Sequence, residues 1–277
     1  MSTIAAAAPA APLPQPVLLI FQPAMISQFM VMLLMLVFVY VMTQRARAGA
    51  PVPPIRKLAG LEAVDEAIGR ATEMGRPVHF SVGLGGVSDS ATFAGWAALG
   101  YVAKMCAQYD TKLINTNRNY LVMAINEEII SQAYLEAGRP DAFNPDDVRY
   151  LSGSQFGYAT GVLGIFQREK PAANFMIGYF YAESLLFAEG GYLSGAIQIA
   201  GTTNTTQLPF FMAACDYTLL GEEIFAASAY LSKEPVLVGS VVGQDLGKIL
   251  TFAVIVIGSI LQNIQGKANW LSGILKK

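Results

Sequence analysis

Apolar residues along this chain fall into two patterns, one near the termini and one in the middle. Near the N-terminus, Met25–Met42 reads MISQFMVMLLMLVFVYVM and contains no charged residue. Counted from Gln22, the run supplies the roughly 20 apolar residues that a helix needs to cross a bilayer. The pattern therefore predicts a transmembrane helix over 22–42, preceded by an Ala/Pro-rich segment over 1–21. Pro23 can start or kink this helix, because proline is tolerated in a first turn.

A second uncharged run, Ile249–Gln265, lies near the C-terminus. Lys248 and Lys267 flank it and can reach the headgroups from its two ends. The run predicts a second transmembrane helix over 248–265. Because it is slightly short, a re-entrant or interfacial path remains open. Its tail, 266–277, carries clustered apolar residues and is expected to lie at the interface as an amphipathic segment.

Between the two runs, short apolar segments alternate with longer amphipathic ones. The predicted strands are Val78–Val82, Lys112–Asn115, Val148–Leu151, Asn174–Gly178, Ala196–Ala200 and Tyr217–Leu220. Strands that alternate with helices indicate parallel β/α units, and strands covered on both faces read as continuous apolar runs. We therefore predict an α/β fold over 58–247, a Rossmann-like parallel sheet with helices on both faces. A competing interpretation, that Pro171–Ala188 or Gly190–Cys215 crosses the membrane, is disfavoured by Glu183 and by the polar run Thr202–Thr205.

Charge is distributed unevenly along the chain. All 20 carboxylates lie between Leu58 and Gly247, together with ten of the 18 Lys and Arg residues, so this block carries a net charge of −10. The other eight cations flank the apolar runs, among them Arg45 and Arg47 in the Pro-rich basic linker 43–57. The positive-inside rule then places the N-terminus outside the cell and the acidic domain in the cytoplasm.

Composition narrows the possible partners further. Hydrophobic residues make up 53% of the chain and charged residues 14%, which is too apolar for a typical soluble protein and too polar for a many-helix membrane bundle. The expected partners are the lipid bilayer and copies of the chain itself; the acidic domain argues against nucleic acid. Cys106 and Cys215 form no C-x-x-C pattern and are expected to be reduced and buried. No metal site or cofactor is predicted.

A candidate ligand site follows the first predicted strand. Gly83-Leu-Gly-Gly-Val-Ser-Asp-Ser90 supplies glycines and a helix start, a combination that can bind an anion. The spacing is G-x-G-G, and Ser88 stands where a dinucleotide motif has its third glycine. A tight turn in which Asp89 or Ser90 caps the helix is the alternative.

Further polar residues follow other predicted strands, at the edge where ligands bind to open α/β sheets. Asn117 takes the place of the acid that holds a ribose, and Arg118 could bind a carboxylate or phosphate. The tentative ligand-binding residues are Gly83, Gly85, Gly86, Ser88, Asn117, Arg118, Thr202 and Thr203.

The remaining titratable residues suggest structural roles. His79, the one histidine, lies within a predicted strand and is expected to be a packed, hydrogen-bonded core residue. Glu183 and Asp216 lie in apolar surroundings, where a position at the start of a helix is a more common explanation than proton chemistry. No catalytic residue is assigned.

Gly239, Gly243 and Gly247 repeat at every fourth position just before the second apolar run. In a helix they would form a close-packing face, tentatively for oligomer contacts. Val236–Val242 can equally form a seventh strand followed by a glycine turn.

Several segments of the central and C-terminal regions together resemble a known family. They are Tyr150-Leu-Ser-Gly-Ser-Gln-Phe-Gly-Tyr158, Phe180-Tyr-Ala-Glu-Ser184, Gly195-Ala-Ile-Gln-Ile-Ala-Gly-Thr202, Gln207-Leu-Pro-Phe-Phe211, Cys215-Asp-Tyr-Thr-Leu-Leu-Gly-Glu-Glu223 and Gly243-Gln-Asp245. The likeness, from about 58 to 248, is to an uncharacterised prokaryotic family of membrane-anchored proteins described only as a domain of unknown function. It implies the anchored architecture and carries no activity.

The sequence thus favours a membrane-anchored, homo-oligomeric structural or scaffold protein without catalytic activity. The alternative is a tethered α/β domain that binds a nucleotide or a small anion, as a sensor or an enzyme. A transporter or channel subunit is disfavoured, because the two apolar runs contain no acid or base, although a ring of many copies could enclose a pore.

Overall fold

The computed structural model describes residues 26–51 and 59–265. The helices are α1 (Ile26–Arg47), α2 (Ala59–Met74), α3 (Ser90–Gln108), α4 (Tyr120–Glu136), α5 (Gln155–Glu169), α6 (Glu183–Ser194), α7 (Leu208–Ala214), α8 (Glu223–Ser232) and α9 (Pro235–Gln265). The strands are β1 (Val78–Gly83), β2 (Leu113–Asn117), β3 (Val148–Tyr150), β4 (Ala173–Tyr179), β5 (Ile197–Thr202) and β6 (Tyr217–Leu220). Two short 3-10 turns, Pro140–Ala142 and Pro145–Asp147, precede β3.

The six strands form one parallel sheet in the order β3-β2-β1-β4-β5-β6. Val78 of β1 pairs with Leu113 on one side and with Ala173 on the other. This is the doubly wound order, in which the direction of winding reverses between the first and fourth strands. The predicted α/β fold class is confirmed.

Alternate residues of each strand point into two separate cores. On one face Phe80 of β1 and Phe175 of β4 are fully buried beneath α2, α3, α4 and α8. On the other face Met176 packs with Phe187 and Phe211 from the layer of α5, α6 and α7. Burial of both faces explains why the strands read as apolar runs.

Helices α1 and α9 are each long and apolar enough to cross a membrane, over Gln28–Arg47 and Pro235–Ile260. Helix α1 continues to Arg47, past the predicted end at Met42. Helix α9 starts at Pro235, so the alternative of a seventh strand over Val236–Val242 is wrong. The predicted start of the first helix at 22 and the tail 266–277 lie outside the described residues.

The chain divides into two compact units. One, 38–246, contains the sheet, helices α2–α8 and the adjoining ends of α1 and α9. The other contains, among the described residues, the remaining parts of α1 and α9, 26–37 and 247–265.

The glycine repeat of α9 lies against α1 of the same chain. A Cβ atom at Gly239 would lie 2.5 Å from Cα of Thr43, and one at Gly243 would lie 2.6 Å from Cα of Val39. Within the other unit, a Cβ atom at Gly247 would overlap the sulfur of Met35. The absence of side chains therefore lets α9 approach the α1 backbone closely.

Candidate functional site at the carboxyl edge of the sheet

The carboxyl ends of β1 and β4 form the point where the strand order reverses, the usual ligand position in this architecture. Gly83 ends β1 with φ +79°, and a Cβ atom there would overlap the carbonyl oxygen of Tyr179. Gly178 of β4 has φ +155°, and its Cβ atom would overlap the carbonyl oxygen of Val82. Glycine is required at both positions, because the two backbones converge where the strands end.

The loop from Gly83 to Asp89 is closed by its own hydrogen bonds. The amide of Leu84 donates to the carbonyl oxygen of Tyr179 (2.8 Å), and the amide of Gly86 donates to the Asp89 carboxylate (2.7 Å). Asp89 directly precedes α3, but its side chain makes no capping bond to the helix amides. The tight turn is therefore present. Because the Gly86 amide already donates to the Asp89 carboxylate, this amide is not available to bind an anion. Ser88 is exposed at the tip of this turn.

Thr92, in the first turn of α3, has a fully buried hydroxyl oxygen with no hydrogen-bond partner. It faces Gly85, where a Cβ atom would overlap this oxygen and would lie 3.0 Å from Cβ of Tyr179. Buried hydroxyls normally have a hydrogen-bond partner. The Thr92 hydroxyl is therefore a position where a polar group of a ligand could form one.

Arg118 connects three of the loops. Its Nε donates to the carbonyl oxygen of Gly153 at 2.8 Å, and its Nη1 donates to that of Leu84 at 3.4 Å. These bonds fix the loops after β1, β2 and β3 relative to one another. The guanidinium is half-buried, and its Nη2 is the group that could bind a ligand.

Asn117 lies inside the protein, away from the edge. Its Nδ2 donates to Oδ1 of Asn115 (2.6 Å), and its Oδ1 accepts from Nδ2 of Asn126 (2.7 Å). Both polar atoms of Asn117 thus already bond to neighbouring asparagines, whereas the sequence suggested a contact with a ribose. Oδ1 of Asn126 is buried without a partner.

Thr202 ends β5 and Thr203 follows it; β5 is separated from β1 by β4. The Thr202 side chain is buried, and its hydroxyl accepts from the amide of Asn204 at 3.2 Å. The Asn204 side chain in turn donates to the carbonyl oxygen of Phe180 (2.9 Å). The structure thus brings Arg118 to the loop after β1, keeps Asn117 inside the protein and places the residues of β5 across the neighbouring strand β4.

Two features at this edge were not predicted as site residues. Gly95 lets α3 pack on β4, because a Cβ atom there would overlap the carbonyl oxygen of Ile177. Glu183 is fully buried at the start of α6 and accepts from Nε2 of Gln155 (2.7 Å) and from the amide of Tyr181 (2.9 Å). Gly95 lies within α3, outside the predicted loop motif. For Glu183 the sequence favours a helix-start role over proton chemistry, and the residue does lie in the first turn of α6.

The edge carries more acid than base. Among the described residues, the loops after the strands and the first residues of the following helices contain four acids and one cation, namely Asp89, Glu183, Glu222, Glu223 and Arg118. The potential there disfavours a polyanion.

Beneath the edge, a chain of hydrogen bonds crosses the buried face of four strands. Nδ1 of His79 lies 2.7 Å from Oδ1 of Asn174, whose Nδ2 donates to Oε1 of Gln198 (3.0 Å). Because Asn174 uses Oδ1 as an acceptor, Nδ1 of His79 carries the proton, and Nε2 accepts from the hydroxyl of Thr116 (2.9 Å). The expected structural role of His79 is confirmed.

The same chain continues to Tyr158 of α5. The phenol donates to the carbonyl oxygen of Thr116 (3.0 Å) and lies 2.7 Å from the hydroxyl of Ser81, which accepts from the amide of Gly83 (3.0 Å). Burial raises the pKa of Tyr158 to about 12 and lowers that of His79 to about 4. Both groups are therefore neutral at physiological pH, and they stiffen the strands that position the edge.

Large apolar side chains that are exposed to solvent surround this edge of the sheet. They lie in the loop after β1, at the end of β4 and within the first five residues of α3, α4, α5, α6 and α7, and 39–68% of each is exposed. We name these the carboxyl-edge rim: Val87, Phe93, Tyr120, Leu121, Phe156, Tyr181, Leu185, Phe210 and Met212.

Comparison with known proteins gives one family and no activity. No curated protein matches the chain, and no solved structure matches it. The model of a family described as a domain of unknown function, DUF6754, matches residues 17–272. This match covers nearly all of the 277 residues. The chain that forms this sheet and its two long apolar helices belongs to the DUF6754 family.

Proposed function

We propose that this protein is a membrane-anchored, homo-oligomeric structural or scaffold protein without catalytic activity. The observation that carries the proposal is the carboxyl-edge rim, nine large apolar side chains exposed around one edge of the sheet. Exposed apolar surface of this extent favours a protein–protein contact. A second copy of the chain is the proposed partner.

Anchoring is proposed to come from α1 and α9. Arg45 and Arg47 end α1, and the acidic domain follows them in the chain. The positive-inside rule then places the N-terminus outside the cell and the domain in the cytoplasm. An impermeant thiol reagent applied to intact cells tests this: a cysteine introduced at Arg47 is expected to stay unlabelled until the cells are opened. Labelling of this cysteine in intact cells would show that the topology is the opposite of the proposed one.

Native mass spectrometry of the full chain in mild detergent tests the oligomer. Leu121→Lys and Phe156→Lys, both on the rim, are expected to shift the chain to monomers, because each buries a charge in the contact. The matched control is Leu135→Lys, since Leu135 is also exposed but lies at the last turn of α4. Monomers alone in the parent chain would refute the proposal.

The second candidate function is binding of a nucleotide or a small anion at the carboxyl edge. One observation favours it: the buried Thr92 hydroxyl without a partner beside Gly85. Arg118 would supply the positive charge, against the opposing charge of Asp89. Nucleotides and phosphate-bearing metabolites would raise the melting temperature of the parent chain and not of Arg118→Gln. No stabilisation by any of them at millimolar concentration would exclude this function.

A further inference from the structure

The last turn of α6 presents the most exposed large apolar side chains in the part of the chain that the structure describes. Leu193 is 77% exposed and Tyr192 is 73% exposed, more than any large apolar residue described in α1 or α9. Gly195 ends the helix in the left-handed conformation, at φ +72°. These two side chains protrude from the amino edge of the sheet, because α6 runs toward the start of β5.

The turn is held rigidly by Arg76. Its Nη2 donates to the carbonyl oxygen of Ser194 (2.6 Å) and to that of Pro171 (3.1 Å), and its Nε donates to that of Lys170 (2.5 Å). The ends of α5 and α6 are thereby tied to the segment that precedes β1. A rigid apolar protrusion loses little conformational entropy when it is buried in a contact.

Beside this protrusion lies a groove of about 620 Å³ between α5 and α6. Its apolar walls are Leu163, Phe166, Leu186 and Leu193, and its polar rim includes Arg76, Lys170 and Glu189. Two cations, Arg76 and Lys170, therefore stand beside the apolar surface, against one acid, Glu189.

The anchor helix α9 starts from the same edge of the sheet. Helix α8 ends at Ser232, and α9 begins at Pro235. Leu231 and Lys233 of this junction line a groove together with Gln108 and Glu136, the last residues of α3 and α4. Because helices that follow parallel strands end at the amino edge, the start of α9 and the tip of α6 flank the same edge.

We propose that Tyr192, Leu193, Arg76 and Lys170, named here the α6 patch, rest on the anionic surface of the bilayer that holds α9. Exposed apolar residues with a tyrosine suit the membrane interface, and the cations match anionic headgroups. This inference rests on the proposed membrane anchoring. It adds a second, peripheral contact between the domain and the lipid.

The test uses the full chain reconstituted in liposomes with and without anionic lipid. A fluorescent probe sensitive to polarity is attached to a cysteine at Leu193→Cys, and in a matched chain at Glu128→Cys, an exposed position in the middle of α4. The parent chain, with Cys106 and Cys215 only, measures background labelling. We expect the probe at 193 to shift to the blue and to be quenched by spin-labelled lipid when anionic lipid is present, whereas the probe at 128 stays accessible to aqueous iodide.

Charge reversal gives a second readout. Lys170→Glu should remove most of the lipid quenching at 193, and Lys104→Glu on α3 should leave it intact. A probe at 193 that remains accessible to iodide in anionic liposomes would overturn the proposal. So would energy transfer between copies labelled at 193 that disappears on dilution with lipid, because a second copy would then cover the patch. Flotation of the liposomes reports anchoring separately: a chain that fails to float refutes the membrane anchor itself.

Discussion

Nδ1 of His79 on β1 donates to Oδ1 of Asn174 on β4 at 2.7 Å, across the point where the strand order reverses. Both side chains are fully buried, and the imidazole packs edge-on against Phe166 with ring centroids 4.8 Å apart. A buried neutral imidazole with both nitrogens bonded joins the two central strands at little cost, since no polar atom of the ring is left unpaired.

This arrangement predicts a specific dependence of stability on pH. Burial lowers the pKa of folded His79 from 6.5 to about 4, so between these values the unfolded chain binds more protons. The free energy of unfolding should therefore fall as pH drops from 6.5 toward 4, by about 3 kcal/mol from this residue. Urea unfolding of the detergent-solubilised chain at several pH values measures it.

The control for this measurement is His79→Gln, which cannot titrate in this range. The variant should lose stability less steeply than the parent over the same pH interval. Parallel profiles for the two chains would mean that His79 is not the group responsible.

A neighbouring glycine provides a test of packing in the same network. A Cβ atom at Gly191 on α6 would overlap Oε1 of Gln198 and lie 2.9 Å from Nδ2 of Asn174. Gly191→Ala should therefore destabilise the fold by about 1–3 kcal/mol, as overpacked cores usually do. Urea unfolding gives the value.

Gly69→Ala is the matched control, because a Cβ atom at this position in α2 meets nothing within 4 Å. This substitution should stabilise the chain by about 0.5–1 kcal/mol through helix propensity. Equal effects at both positions would contradict the packing argument.

The sheet was largely predictable from the sequence, because short apolar runs between amphipathic helices have few other solutions. The predicted bounds of β6, Tyr217–Leu220, agree with the structure. Helix α9 was ambiguous at its start, because Val236–Val242 combines β-branched residues with a glycine. In the structure this glycine, Gly239, lies against α1, a long-range contact that local propensity does not contain.

The site was less predictable, because it depends on which way side chains point. The sequence places Asn117 just after the second strand, whereas it is the last residue of β2, and its side chain turns toward Asn115 and Asn126 inside the protein. The return of Asp89 to the Gly86 amide likewise depends on loop geometry that spacing alone does not give. Sequence patterns thus locate the edge of the sheet where a ligand would bind. Which polar atoms there are free to contact a ligand depends on the hydrogen bonds within the protein, which the sequence does not show.

The glycine repeat of α9 allows intrachain and intermolecular packing to be distinguished. Gly243→Val places a side chain where Val39 of α1 already lies, so the melting temperature of the solubilised chain should fall. If the contact with α1 is the main role of the repeat, the number of subunits in native mass spectra should stay unchanged. A loss of subunits with unchanged melting temperature would instead assign the repeat to oligomer packing. Ser240→Val, at an adjacent position of the same helix, is the control.

The two cysteines provide a test of local opening in the domain. Both are free; Cys106 is buried and Cys215 is half-buried. Burial raises the pKa of both thiols, that of Cys215 to about 12 with a further contribution from Asp216. Because only the thiolate reacts, alkylation of the folded chain at pH 8 should be slower by about three orders of magnitude than that of an exposed cysteine.

Iodoacetamide labelling followed by mass spectrometry measures both thiols at once, and both should react when the chain is unfolded in denaturant. Rapid labelling at Cys215 alone would show that the segment joining α7 to β6 opens locally, since Cys215 lies directly between these elements. Rapid labelling at Cys106 would require opening of the core beneath α3, where the side chain is fully enclosed. The ratio of the labelling rates at Cys215 and Cys106 therefore compares the local stability next to the edge strand β6 with that of the core beneath α3.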